Sequence, residues 1–355
     1  MKNMGPNKKE KHDLNDIGIK EFKSRRAEYI PVPVELPEGY QLGKYKVMKR
    51  IESDTEMNCI CVVQDKKKDE YALKVERCNE KEPMLRTELF VLQQMEQAGS
   101  ERKHFCKIFD RGANNDFKYI VITLTGKSLR AIRKESKDQR FSLGCALSVG
   151  IQCLKGLETL HEKGFIHRNV QPSNFCVGRA ELKEHRLIYC LDFGFAHQYK
   201  TKEGKVKPKR EKPYTYRGSL RHASRNCYKG EELARVDDLE MWLYMVVEFS
   251  KGSLPWMNEK NPKEVYEWQE VARKDFGIRQ LFGGLPVEFV EVMSHIDGLK
   301  FVDTPDYNKI YGLLQNALCV NGLDEFPYDW EEDKPKPMAA NDVKDSAENA
   351  AKAEK

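Results

Sequence analysis

Apolar residues recur with two different periods along this chain, and the change of period divides it. Residues 1 to about 40 are polar, mix both charge signs and keep no period, which predicts a flexible arm ending in the Pro-rich IPVPVELPEGY. From Tyr45 short β-rich runs take over. Tyr45–Ile51, Cys59–Val63 and Glu70–Arg77 predict three strands of an antiparallel meander, with the turn residues DKKKD before the third. Pro83 suits a first helical turn, and Leu85, Leu89, Leu92 and Met95 behind it share one helix face. Runs near Phe105–Phe109 and Phe117–Leu124 would complete a five-stranded sheet carrying one helix.

From Gly126 the period becomes helical. Ser142 is placed to cap a long helix with a stripe of Leu143, Leu147, Cys153, Leu154, Leu157 and Leu160. Two short apolar segments follow, FCV at 175–177 and LIYCLDF at 187–193, and further helices are expected over 235–251, 262–273, 286–296 and 307–318. Residues 333–355, rich in Ala, Asp, Glu and Lys, predict a disordered tail. The pattern is that of an α+β domain over 41–332, with a small β lobe (41–125) and a large, mainly helical lobe (126–332).

Composition narrows the class. The 355 residues are 33% charged and 40% hydrophobic, and no stretch reaches the ~18–20 apolar residues of a membrane-spanning helix. The first thirty residues hold no apolar segment of the secretory kind, so the ten cysteines are expected to be reduced thiols. Cys59 and Cys61 have no His partner at zinc spacing. These features predict a protein of the cytoplasm, the nucleus or both.

The chemistry sits in an ordered set of motifs. YALKVE carries Lys74, Glu88 follows on the next predicted helix, GFIHRNVQPSNF spans 164–175, LDFG spans 191–194, and ASRN and RVDDLE come later at 223–226 and 235–240. A Lys–Glu pair, an HR loop with a downstream Asn, and DFG in this order form the protein-kinase signature set. The wording of LHEKGFIHR, PSNF, LDFGFAHQY, GSLRHASRN, DDLEMWLYMVVEF, GSLPW, TPDYNKI and YDWE resembles the casein kinase 1 superfamily, and KHFCKIFDRGANNDFKYIVITLTGKSL favours its tau-tubulin kinase branch. That resemblance implies a bilobal protein-kinase fold over residues 40–332 and assigns tasks by position. Lys74, oriented by Glu88, would hold the α- and β-phosphates of ATP. Asp192 and Asn174 would hold magnesium. Ile122 would precede the hinge, where the backbone of Thr123 and Thr125 meets adenine, and Ile51, Cys59 and Ala72 complete the expected nucleotide contacts. Asp238 would anchor the catalytic loop, with His167 and Phe193 packed beneath it. A purely structural reading competes for His167, Phe193 and Asp238, and a residual salt bridge competes for Lys74 with Glu88.

Three departures fall on the chemistry. Asn169 stands where the family's catalytic Asp accepts a proton, and an amide cannot take one at neutral pH. That puts general-base assistance of ~10²–10⁴-fold at risk. Gln171 replaces a lysine that would offset γ-phosphate charge, worth on the order of 10²–10³-fold. The two losses need not multiply. Within IESDTEMNC (51–59), Glu52, Asp54 and Met57 occupy the three glycine positions of the phosphate-covering loop, with Glu56 between them. Side chains there block close approach of backbone N–H groups to phosphate. Each carboxylate repels a phosphate charge by ~1 kcal/mol at 4 Å in water. Weak or absent binding of ATP with Mg²⁺ is the expectation, with a solvated turn whose charges point outward as the milder case.

Between His197 and Arg225 ten Lys or Arg face only Glu203 and Glu211, a charge of +8 within a chain of net +5. The resemblance places this segment beside a substrate groove, so residues 200–225 are expected to dock an acidic protein. The alternative is a mobile loop kept soluble by lysines. No reader motif accompanies the charge, and neither nucleic acid nor membrane is expected as a partner. Three functions compete: a pseudokinase acting as a binding or signalling scaffold, a weakly active Ser/Thr kinase acting on acidic or phospho-primed proteins, and a purely structural subunit.

Overall fold

Strand Glu70–Arg77 is buried through its middle without alternation, because both faces of its sheet are covered. The computed structural model describes residues 34–51, 59–81, 83–210, 216 and 218–331. Its small lobe is an antiparallel sheet of β1 (Gln41–Leu42), β2 (Tyr45–Ile51), β3 (Cys59–Gln64), β4 (Glu70–Arg77), β5 (Ile108–Ala113) and β6 (Phe117–Thr123), in the order β1-β2-β3-β4-β6-β5. The strand beyond the expected five is β1, two residues long and too short for a periodic signal. The third strand's turn uses Lys68 at φ 69°, as the DKKKD run suggests.

One face of the sheet carries Tyr45, Val47, Cys59, Cys61, Leu73 and Val75, covered by Val34, Leu36 and Tyr40. Those three residues belong to the stretch read as a flexible arm. They are instead the sheet's outer cover, because the apolar positions of VPVELPEGY have a face to bury against. Residues 1–33, the acidic stretch 52–58 and the expected tail 333–355 lie outside the described residues. The other face sends Ala72, Ile120 and Ile122 into the main core beside α1 (Leu85–Met95), whose Leu85, Val91, Leu92 and Met95 are buried. Leu89 is only half-buried. β5 starts at Ile108 rather than at Phe105, since Phe105 and Cys106 are buried as a lead-in and Phe105 lies against Phe193.

The large lobe continues with α2 (Leu129–Glu135), α3 (Leu143–Glu162), β7 (Phe165–Ile166), β8 (Phe175–Val177), β9 (Ile188–Cys190) and β10 (His197–Gln198). Helices α4 (Arg225–Lys229), α5 (Arg235–Lys251), α6 (Pro262–Val271), α7 (Asp275–Phe282), α8 (Glu288–Asp297) and α9 (Tyr307–Val320) follow. The short α2, α4 and α7 escape the periodicity reading. Ser142 caps α3 as expected, its hydroxyl accepting from the Cys145 N–H. Nearly every residue of α5 is buried, the mark of a central helix surrounded by others. It crosses α3 closely. Trp242 Nε1 donates to Gly150 O at 2.9 Å, and a Cβ at Gly150 would stand 2.9 Å from Val246 Cγ2. The YDWE segment closes the lobe onto α3 through Tyr328, whose hydroxyl meets Ser148 Oγ at 3.0 Å and Gln152 Nε2 at 2.7 Å. All ten cysteines are free thiols. Among the described residues no helix is long and apolar enough to cross a membrane.

Candidate active site

Strand alternation puts Lys74 on the face of β4 that looks towards α1, and Glu88 meets it there with Nζ to Oε1 at 2.5 Å. Both side chains are buried. Burial pulls the Lys74 ammonium down, but the carboxylates of Glu88 and Asp192 outweigh it and leave its pKa above the ordinary value. Burial raises Glu88 against the pull of Lys74, and the Asp192 carboxylate adds to the rise. Lys74 thus pairs with Glu88 and lies in the field of the Asp192 carboxylate. Two residues further along the same face, Glu76 Oε1 accepts from the N–H groups of Met84 at 2.6 Å and Leu85 at 3.0 Å. These are orphan donors at the start of α1, so β4 holds that helix twice. The Glu76 contact is absent from the sequence reading, although its i+2 relation to Lys74 was a usable signal.

The DFG segment is folded inward. Asp192 adopts left-handed backbone angles (φ 65°, ψ 67°), and Phe193 is fully buried, its ring 5.4 Å from His167 and 5.8 Å from Phe105. A Cβ on Gly194 would stand 2.7 Å from Met84 Cβ, which is why glycine occupies that step. Asp238, from α5, accepts from the His167 N–H at 2.6 Å and the Arg168 N–H at 2.8 Å, while His161 Nε2 lies 2.8 Å from the same carboxylate. Burial alone would raise Asp238, but the His161 contact and the His167 N–H hold it below its ordinary value. The expected anchor and the packed His167–Phe193 layer are therefore present.

On this anchored loop Asn169 and Gln171 meet each other. Asn169 is 2% exposed, and its Oδ1 accepts from Gln171 Nε2 at 3.1 Å. Asn174 Nδ2 donates to the Asn169 carbonyl at 2.7 Å, leaving Asn174 Oδ1 as the atom able to face a metal. Carboxylate and amide oxygens are the donors a hard cation takes, so Asp192 and Asn174 would hold magnesium, and Lys74, oriented by Glu88, would supply the positive charge for a nucleotide's phosphates. No cluster of three or more His, Cys, Asp or Glu that could hold a metal occurs among the described residues.

The adenine end of the cleft is partly as expected. Ala72 opposes Ile122 across β4 and β6, and Ile51 opposes Ile60, which opposes Lys74, so these residues share the cleft face. Thr123 spends its N–H on Lys107 O at 3.0 Å. Cys59 is a correction. It opposes Val75, not Lys74, and lies under Leu36 on the outer face of the sheet. A one-residue change of phase inverts a strand's faces, and here it gives Ile60 and Val62 the cleft side.

Among the described residues of the basic segment, much of the charge is paired within the molecule. β10 pairs with β7, and a hairpin follows in which Thr201 N–H donates to Lys205 O at 2.8 Å and Lys207 N–H to Tyr199 O at 2.8 Å. Arg210 holds the buried Glu232 through Nε at 2.6 Å, and Lys209 pairs with Glu231. Arg221 reaches Glu248 at 3.4 Å, and Arg225 reaches Glu240 at 3.0 Å. The Glu248 carboxylate, buried yet ringed by His222, Arg133 and Arg221, is held down at about 2. Of the ten cations, Lys202 and Lys205 stand exposed on the hairpin, and Lys212 and Arg217 lie outside the described residues.

A protein-kinase-domain profile matches residues 45–283, and the chain belongs to the protein kinase domain family. Its relatives are Ser/Thr kinases. It is 34% identical over 264 residues to a probable serine/threonine-protein kinase of Dictyostelium discoideum, covering 74% of this chain and 51% of that protein. It is 31% identical over 293 residues to serine/threonine-protein kinase spe-6 of Caenorhabditis elegans, covering 81% and 76%. It is also 34% identical over 218 residues to casein kinase I homolog 2 of Schizosaccharomyces pombe, covering 59% and 49%. The chain thus spans about half the length of the Dictyostelium and Schizosaccharomyces relatives.

Proposed function

We propose that this chain is a pseudokinase of the tau-tubulin-kinase-like branch of the casein kinase 1 superfamily, acting as a protein-binding or signalling scaffold in the cytoplasm, the nucleus or both. One contact carries the reading: Asn169 Oδ1 accepts from Gln171 Nε2 at 3.1 Å, an amide pair where a proton acceptor and a phosphate-facing cation would work. Neither amide ionises at physiological pH, so neither task is served. Lys74, Glu88, Asp192 and Asn174 suit Mg·ATP, while the acidic residues of stretch 52–58 weaken its binding. A thermal-shift titration with Mg·ATP should give little stabilisation, and a clear rise in melting temperature would overturn that part.

A weakly active Ser/Thr kinase is the second reading, favoured by the formed Lys74–Glu88 pair beside Asp192. Labelled phosphate transferred from ATP to casein or tubulin, and lost in Asp192→Asn, would establish it over the first. The partner is proposed to be acidic and to dock on the hairpin that exposes Lys202 and Lys205. Replacing both by Ser should weaken binding of acidic peptides, and unchanged binding would refute that docking site.

A further inference from the structure

The basic segment meets the catalytic loop at Tyr216 and Gly218. Tyr216 is 4% exposed and belongs to the main core, and its hydroxyl donates to Ser219 O at 3.3 Å. Gly218 has no room for a side chain. A Cβ there would lie 2.2 Å from Tyr216 Oη, 2.5 Å from Tyr216 Cζ and 2.6 Å from Asn169 Oδ1. The phenol and the Asn169 carboxamide oxygen therefore reach the same backbone step. Asn169 itself is 2% exposed, although its place in the loop is the one from which an acceptor hydroxyl would be addressed.

We propose that Tyr216 is a resident occupant of the acceptor subsite, its ring filling the place where the Ser or Thr hydroxyl of a protein would meet position 169. The proposal rests on reading Asn169 as the catalytic-base position, but not on the absence of transfer. Entry of an acceptor then requires the Tyr216 ring to leave the core, at the cost of exposing a large apolar surface. Restoring a carboxylate at 169 would not by itself open the site. A closed acceptor site leaves the outer hairpin as the surface that meets a partner.

Accessibility tests this without relying on nucleotide or turnover. Asn169→Cys is introduced into the full chain, alone and together with Tyr216→Ala or Tyr216→Phe, and alkylation by iodoacetamide is followed peptide by peptide by mass spectrometry. The native thiols of Cys190 and Cys227, each 1% exposed, serve as references for global opening. The thiol introduced at 169 should react slowly with Tyr216 or Tyr216→Phe present. It should react about tenfold faster or more with Tyr216→Ala, while Cys190 and Cys227 stay protected. Fast reaction with Tyr216 intact would overturn the proposal, as would continued protection in Tyr216→Ala. Simultaneous labelling of Cys190 and Cys227 would mark Tyr216 as a support of the fold and overturn it too. Because transfer is not read, any of these failures leaves the pseudokinase reading standing.

Discussion

Asp238→Asn is the sharpest probe of how firmly the HRN loop is held. The carboxylate takes the N–H groups of His167 and Arg168 and faces His161 Nε2, all within 2.8 Å, and it is fully buried. An asparagine keeps one acceptor oxygen but turns an NH₂ towards a donor. Hydrogen bonds to a charged group contribute about 1.5–3 kcal/mol each, and an unsatisfied buried donor costs about 1–3 kcal/mol. The expected loss is about 3–5 kcal/mol, or roughly 10 °C in melting temperature for a domain of this size. The sign with pH follows from the depressed pKa. The carboxylate's contribution is complete above the ordinary carboxylate value of 3.8 and is lost as pH falls through the lower folded value. Urea denaturation at pH 7 and pH 5 should therefore give the same gap between the two proteins, and the gap should close only below about pH 4. A gap under about 1 kcal/mol at pH 7 would refute the anchoring role.

Three further outcomes are expected. Glu76→Ala removes the acceptor for two N–H groups at the start of α1 and should cost about 1–2 kcal/mol, with faster hydrogen exchange at residues 84 and 85 by mass spectrometry. Gly150→Ala drives a Cβ to 2.9 Å from Val246 Cγ2 and should cost about 1–3 kcal/mol in denaturant titrations. Burial, with Arg168 and Arg210 nearby, lowers His197 to about 4, so the folded state resists its protonation. Stability from this group is complete above about pH 6.5 and falls as pH drops towards 4, so His197→Gln should flatten the pH dependence of melting across that window.

The fold was legible because Lys74, Glu88, the HRN loop, DFG and Asp238 keep their order and spacing, and each of these residues stands where that order implies. Local pattern does not reveal which side of the strand CICVVQ faces the cleft, because it is apolar on both faces. Cys59 was misplaced for that reason, while its pairing with Val75 is set by the β3–β4 register. The packing of Val34, Leu36 and Tyr40 depends on a sheet face assembled from four later strands. Charge arithmetic on residues 197–225 likewise overstated the free basic surface. The partners Glu231, Glu232, Glu240 and Glu248 lie beyond the segment and reach it only through the fold. The amide pair at the catalytic loop is legible as two residue types, and their mutual hydrogen bond depends on the path the loop takes in the fold.

The central claim turns on those two amides. Transfer of labelled phosphate from Mg·ATP to casein should be measured for the natural chain, for Asp192→Asn, and for the triple variant Asn169→Asp, Gln171→Lys and Tyr216→Ala. Background transfer is expected from the natural chain, indistinguishable from Asp192→Asn, with a signal only where a carboxylate at 169 and a cation at 171 are introduced. Transfer by the natural chain that Asp192→Asn abolishes would contradict that claim.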